Sequence, residues 1–337
     1  MNSLFVEGLG LVTAAGLTCA QSTNSFLAGV TGFTEEVAGD QMELQVLAKV
    51  PADWRLRRTS SQWLVNLAAR AGREAMAEAG AEPAHTLLIC TPPEMYRDHA
   101  CWAEMSPDTF LTDLQTKLGG TFAKGSRLVD GGAAAGVGLL PDVADALGQS
   151  SVSRVLLIGV DSLIGRADLD RFRTAGRLQG QTAQGLVPGE GAGAVVLSLN
   201  PCRGMAVRGV GLATEPDPVT GTRQSQGRGM VSALKAACAS PDQPESDIIF
   251  AVSNLNGERY AALEMLVFRA RFYRTHREYM ATAYPAMSFG ETGAAGGAIA
   301  LAVAADAFRR GHAPGAHAMI EITSESGMRA GAFVSGV

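Results

Sequence analysis

Cysteine is sparse and unpaired in this chain. The five thiols, Cys19, Cys90, Cys101, Cys202 and Cys238, are odd in number, widely spaced and free of any CxxC. That argues against a disulfide framework and leads to the expectation of reduced thiols in a cytoplasmic protein. No apolar run of about 18 residues passes without a charge or a glycine break, so no membrane span is expected. The first residues are apolar, but they lack a basic segment, carry Glu7 and are broken by Gly8, Gly10 and Gly16. They read as a strand and turn rather than a signal peptide. Basic residues do not dominate: 28 Lys and Arg stand against 33 Asp and Glu, a net charge of −5, and they are scattered rather than striped. A nucleic-acid surface is therefore not expected. His85, His276, His312 and His317 lie apart with no ligand spacing, so no metal site and no cofactor are expected. What is abundant is apolar material, 47% of 337 residues, enough for one large or two fused α/β domains.

The chain is organised around residues 126–140. Ser126 to Asp130 alternates between glycines and reads as a short strand. From Ala133 to Leu147 the residues are small and then apolar, which reads as one buried helix. In a catalytic version of such a turn the first helical residue is a nucleophile, activated by the helix dipole and facing unpaired N–H groups. Here that position is Ala133. The plainer reading is a helix that needs small side chains because it packs closely.

The remaining signals fall in order. Leu4 to Thr13 predicts a buried strand, and Gln41 to Val50 an exposed hairpin strand. A long helix is predicted from Thr59-Ser-Ser61 to Ala79, stopped by Gly80. Thr86 to Cys90 and Val152 to Val160 read as buried strands. Gly185-Leu-Val-Pro-Gly-Glu-Gly-Ala-Gly193 leads into another, with Glu190 expected to hold the turn together. The second part repeats this plan. Strands are predicted at 205–213, 247–252 and 282–286. Gly290-Glu-Thr-Gly-Ala-Ala-Gly-Gly297 then opens a small-residue helix to Phe308. The strand–glycine–helix unit at 126–147 recurs at 282–308. That predicts two similar α/β halves, 1–200 and 201–337, facing each other within one compact fold.

Val6-Glu-Gly-Leu-Gly-Leu-Val-Thr13, the Gly185–Gly193 segment and Gly290–Gly296 together resemble β-ketoacyl-acyl-carrier-protein synthases. The resemblance covers nearly the whole chain. It implies the thiolase-like five-layered α-β-α-β-α fold, and a homodimer or a heterodimer with a related chain in which Ser126–Asp130 pairs across a twofold axis. It also implies a pocket at Gly131, Gly132, Ala133, Asn256 and Glu291, with His99 and Cys101 as further candidates.

The family's catalytic residues do not carry over. Ala133 stands where the resemblance places the nucleophilic cysteine. Asn256, in Asn254-Leu-Asn-Gly-Glu258, stands for the first histidine, and Glu291 for the second. The preceding lysine is missing, and the phenylalanine gate reads Glu325-Ser-Gly-Met-Arg329. Alanine cannot hold an acyl group, and an ionised Glu291 would oppose the negative charge of an enolate. The expectation is a chain without condensing activity, acting as a dimeric accessory subunit, adaptor or chaperone for another protein. The alternative is an acyl-transfer or hydrolytic enzyme with a rebuilt site. For it, His99 and Cys101, two residues apart, could form a dyad if they lie on a strand, or Glu291 could serve as a base. Their plainer readings are a loop over the pocket mouth and a helix-start cap. A carrier-protein partner would call for a basic patch, to which Arg55, Arg57 and Arg58 could contribute.

Overall fold

The computed structural model describes residues 2–38, 43–51, 58, 60–95, 97, 99–149, 152–181 and 184–337. Strand β1 (Leu4–Val12) opens the chain and is followed by helix α1 (Cys19–Leu27), capped by Thr18. A separate hairpin, β2 (Phe33–Ala38) and β3 (Glu43–Ala48), leads to the long helix α2 (Ser61–Ala79). The Ser60 hydroxyl accepts the Trp63 N–H at its start, and Gly80, at φ 57°, closes it in the left-handed region. Next come β4 (Thr86–Thr91), α3 (Ala100–Glu104), α4 (Pro107–Lys117), β5 (Arg127–Leu128), α5 (Gly132–Gly138), α6 (Leu140–Gln149), β6 (Arg154–Ser162), α7 (Arg166–Thr174) and β7 (Glu190–Ser198). The second half holds β8 (Met205–Thr214), α8 (Arg228–Ala237), β9 (Phe250–Ser253), α9 (Arg259–Phe272), β10 (Ala281–Ala283), α10 (Ala286–Phe289), α11 (Gly296–Arg309), β11 (His317–Thr323) and β12 (Met328–Gly336).

Ten strands follow one order, β10-β9-β11-β12-β8-β1-β7-β6-β4-β5. Within each run of five, the strands stand third, second, fourth, fifth, first from the outer edge inward, so the topology of one run is repeated in the other. The two runs meet only at Leu4↔Val207 and Phe5↔Ala206. Helix α2 covers the outer face of the first run and α8 that of the second, while α5 and α11 lie between them. These are the layers of an α-β-α-β-α fold.

Glycine sets how closely the layers approach. A Cβ on Gly8 or Gly10 of β1 would come within 2.0 and 1.9 Å of the Ala75 and Ala71 carbonyl oxygens of α2. The edge of β1 that β8 leaves open is closed by the same helix: Leu9 N–H donates to Glu78 Oε2 at 2.6 Å and Leu11 N–H to Glu74 Oε2 at 3.1 Å. In the central layer a Cβ on Gly297 would lie 2.2 Å from the Ala133 carbonyl oxygen. Helices α5 and α11 therefore cross in backbone contact, which accounts for the run of small residues after Gly131.

Three expectations change. The single helix over Ala133–Leu147 is two, broken at Leu139, with Pro141 and its missing N–H in the first turn of α6. The strand expected over Ser126–Asp130 shrinks to β5. Ser126 turns its hydroxyl to accept the Leu88 N–H at 3.0 Å, while Val129 N–H still donates to the Cys90 carbonyl at 2.8 Å. The hairpin strand is not wholly exposed, since Leu47 and Ala48 are buried against the fold; Gln41 and Met42 lie outside the described residues. Among the described residues no helix is long and apolar enough to cross a membrane.

Candidate functional site

Ala133 is the second residue of α5, reached through Gly131 at φ 146° and Gly132 at φ 64°. The left-handed φ at Gly132 strains any side chain there, and a Cβ would also have to displace Glu94 Oε1, 2.8 Å away, and Ser324 Oγ, 2.9 Å away. The Ala134 N–H, next to that position in the first turn of α5, donates to Ser324 Oγ at 2.8 Å. Ser324 passes its own hydrogen to the Gly131 carbonyl at 3.1 Å. A protein hydroxyl therefore already satisfies the N–H beside Ala133.

Asn256 and Glu291, 35 residues apart, are brought into contact. Asn256 Nδ2 donates to Glu291 Oε2 at 2.7 Å and to Glu258 Oε2 at 3.0 Å. The backbone of Glu291 is clamped by the segment before β7: its N–H donates to the Val187 carbonyl, and its carbonyl accepts from Gly189, both at 2.8 Å. Its other carboxylate oxygen accepts the Gly293 N–H at 2.9 Å. Burial pushes the Glu291 carboxyl up to about 7, with Glu258 and Glu325 adding to the effect and the Asn256 and Gly293 hydrogen bonds opposing it. Near neutral pH this group is half protonated, and it sits where the resemblance places an imidazole.

Arginines close the space around these residues. Arg177 grips Glu258 with two bonds, at 2.6 and 2.8 Å, and also bonds Glu325. Arg171 adds a second hold on Glu325 at 2.7 Å and reaches Asp168 at 3.2 Å. Arg97 binds both oxygens of Asp161, at 2.8 and 3.1 Å. Burial pushes the Glu325 carboxyl up, but Arg177 and Arg171 together outweigh it and hold the group below its ordinary range. Asp161 is lowered in the same way, burial being outweighed chiefly by Arg97. Arg329 is fully buried and bonds Glu264 at 2.9 and 3.2 Å and the Ser324 carbonyl at 2.9 Å. What remains between Ala133, Asn256 and Glu291 is a cavity of about 50 Å³. Pockets that hold small molecules measure roughly 300–1,000 Å³. The space suits water, not an acyl chain.

His99 and Cys101 are in contact with each other but outside that cavity. They do not share a strand: His99 is the N-cap of α3, its Nδ1 accepting the Cys101 N–H at 3.2 Å and lying 2.9 Å from Cys101 Sγ. The other ring nitrogen lies 3.0 Å from the Ser162 carbonyl, an acceptor only, so the Nε2 position carries the proton and Nδ1 accepts. Both side chains are buried, and burial pushes the Cys101 thiol well above its ordinary value. The pair has the spacing of a dyad without a thiolate, and His99 lines a separate open cleft of about 750 Å³ together with Arg58 and Asp168.

Glu190 ties the first half together. It accepts from Trp63 Nε1 at 2.8 Å, Val50 N–H at 3.0 Å and Ser162 Oγ at 3.2 Å, and it pairs with Arg58. Arg58 is thus engaged inward. Arg55 and Arg57 lie outside the described residues, as does Thr59. Among the described residues no cluster of His, Cys, Asp and Glu has the arrangement to hold a metal. Sequence reasoning missed Arg97, Arg171, Arg177 and Ser324. Arg329 was visible at the degenerate gate, but nothing in the sequence pairs it with Glu264.

No protein-family model matches this chain, and no curated protein matches it. Solved structures do. A type II polyketide acyl-carrier protein in complex with its ketosynthase superposes with a TM-score of 0.81 at 13% identity, covering 100% of this chain and 99% of that one. A ketosynthase in complex with its chain length factor from Xenorhabdus doucetiae gives 0.79 at 12% identity, with 100% and 98% covered. A β-ketoacyl synthase from Burkholderia phymatum gives 0.76 at 17% identity, with both chains covered completely. At such identities the likeness is one of architecture, and the chain has the thiolase-like fold of the ketosynthases and their chain length factors.

Proposed function

We propose that this chain is a non-condensing relative of the β-ketoacyl synthases, acting as the accessory half of a protein complex. The observation that carries the reading is the occupied pocket. A methyl group stands at the nucleophile position, a serine hydroxyl caps the adjacent N–H, and the two histidine positions bond each other as Asn256 and Glu291. Thioester chemistry needs a group that can be acylated and room for the acyl chain, and a 50 Å³ cavity supplies neither. The partner envisaged is a related chain pairing along the open edge of β5, either a second copy or an active synthase; an unrelated cargo protein is the remaining alternative. Two of the structural neighbours are ketosynthases in complex with chain length factors, which supports the heteromeric form.

The direct test offers the purified chain malonyl and acyl thioesters of a carrier protein and of coenzyme A, and follows condensation and carbon dioxide release. Neither is expected. Turnover that disappears in Cys101→Ser or His99→Ala would replace this reading with a relocated active site.

A further inference from the structure

A cleft of about 640 Å³ opens where the start of β11 and the end of β12 meet β8 and the end of α8. Its size is that of a small-molecule site, roughly 300–1,000 Å³. It is remote from Ala133. His317, on its lining, begins β11, while Thr323, on the lining of the closed cavity, ends that strand about 20 Å away.

A bulge supplies its cation. Val207 pairs with Val334 and Gly209 with Phe333, which leaves Arg208 without a partner across β12. A bulge re-aims a side chain, and that of Arg208 lines the cleft. Glycine at 209 lets the end of α8 close the wall, since a Cβ there would lie 2.1 Å from the Ala237 carbonyl oxygen. Two hydroxyls hold the guanidinium: Nε donates to Ser335 Oγ at 3.0 Å and Nη1 to Ser3 Oγ at 2.9 Å. Its carbon lies 5.8 Å from the centre of the Phe5 ring. These bonds use two of the five N–H groups of an arginine. Among the described residues no carboxylate pairs with it. The enclosed arginines Arg97, Arg177, Arg269 and Arg329, by contrast, each grip an acid. His317 adds a donor: its Nδ1 is buried without a partner, so the ring proton belongs on Nε2, which is not enclosed. Asp242 is the other charged residue on the lining, exposed and not paired with Arg208.

We infer that this cleft binds a free amino acid, with its carboxylate on Arg208 and its ammonium toward Asp242. A carboxylate takes the open hydrogens of Nη1 and Nη2 as a parallel pair, the strong geometry for arginine. A phosphate dianion suits the cleft less well, because its single guanidinium is already offset by Asp242. A simple carboxylic acid would leave Asp242 unanswered. Val210 and Ala236 give the lining an apolar part for the side chain of the ligand. The inference does not rest on the reading of the closed cavity.

The test offers the full chain each standard L-amino acid singly, at millimolar concentration, and follows the thermal midpoint. At least one should raise it saturably. The amide and the N-acetyl derivative of that amino acid should each bind about tenfold more weakly, a loss of roughly 1.4 kcal/mol. Arg208→Gln should weaken binding by at least as much. Should that variant fold poorly, Ala239→Trp fills the cleft from an exposed position on its lining and should abolish the shift. No saturable shift with any amino acid overturns the inference. So does equal binding of an amino acid and its amide, or a shift that survives Ala239→Trp. Inorganic phosphate binding more tightly than any amino acid would make this a simple anion site and overturn it as well.

Discussion

The side-chain amide of Asn256 donates to the carboxyl of Glu291 at 2.7 Å, and the same nitrogen serves Glu258 at 3.0 Å. The two positions at which the resemblance places the imidazoles of a condensing enzyme are thus joined to each other.

The burial of Glu291, which this contact only partly offsets, makes stability depend on pH near neutrality. Glu291 titrates at about 7 in the fold and at an ordinary carboxyl value when unfolded, so the folded state holds its proton more tightly. The stabilisation is complete below the unfolded value and fades as pH rises through 7. Between pH 5 and pH 8 the wild-type chain should lose about 2 kcal/mol that Glu291→Gln retains, from the shift at about 1.4 kcal/mol per unit. Urea midpoints at the two pH values measure it. Equal losses in both proteins would show that Glu291 is not the titrating group.

Cysteine placed at the nucleophile position should be a poor nucleophile. In Ala133→Cys the thiolate would share the cavity with Glu291 and would find the Ala134 N–H already bonded to Ser324. Alkylation by iodoacetamide at pH 7 should be slow, and adding Glu291→His should speed it about tenfold, on the scale of one pKa unit. The rate must be read by mass spectrometry on the peptide that carries the substituted position, since Cys202 and Cys238 are partly exposed. Fast alkylation of the single variant would place Glu291 away from the thiol.

Arg177 should be worth far more than a surface arginine. Its side chain is 12% exposed and neutralises Glu258 and Glu325, which are 8% and 21% exposed. Arg177→Met leaves two enclosed carboxylates short of a partner and should cost roughly 3–5 kcal/mol, the range for breaking a buried pair. Arg223, whose side chain is 78% exposed beside Asp217, should lose less than about 1 kcal/mol on conversion to alanine. Denaturant melts of the two variants compare them. Similar small losses would mean that solvent, not Arg177, screens the carboxylates.

If β5 pairs with another chain, the proline that separates the partners belongs at Leu128. The register pairs Cys90 with Leu128, so Val129 N–H is turned inward to Cys90, and in a parallel ladder the groups of Leu128 face away from β4. Sedimentation at micromolar concentration should show twice the chain mass, and Leu128→Pro should halve it. Val129→Pro should lower the stability of the monomer itself. A wild-type monomer would remove β5 as an interface.

The architecture was legible because it is written in local signals. Glycines at 8 and 10 mark a strand pressed on a helix, Ser60 and Gly80 bracket α2, and the repeated glycine turns at 131 and 290 announce the duplication. The contents of the pocket were not. Arg177 meets Glu258 across 81 residues and Glu325 across 148, and each alone reads as a solvated loop charge. Ser324 sits 190 residues from the N–H it caps. His99 and Cys101 show the opposite failure: the spacing was visible, but the helix cap that creates the contact, and the burial that raises the thiol, were not.

The arginine clasp on Glu258 and Glu325 also bears on descent. Placing a histidine at 256 or 291, or a cysteine at 133, leaves Arg177, Arg171 and Ser324 in place and the space closed. Removing an arginine first strands a buried carboxylate, and removing a carboxylate first strands an arginine, each at a cost of several kcal/mol in a fold whose whole margin is roughly 5–15. Every single-step route to an open pocket through these residues passes through a destabilised protein. The clasp thus works as a ratchet: by one substitution at a time the closed space is easier to keep than to open.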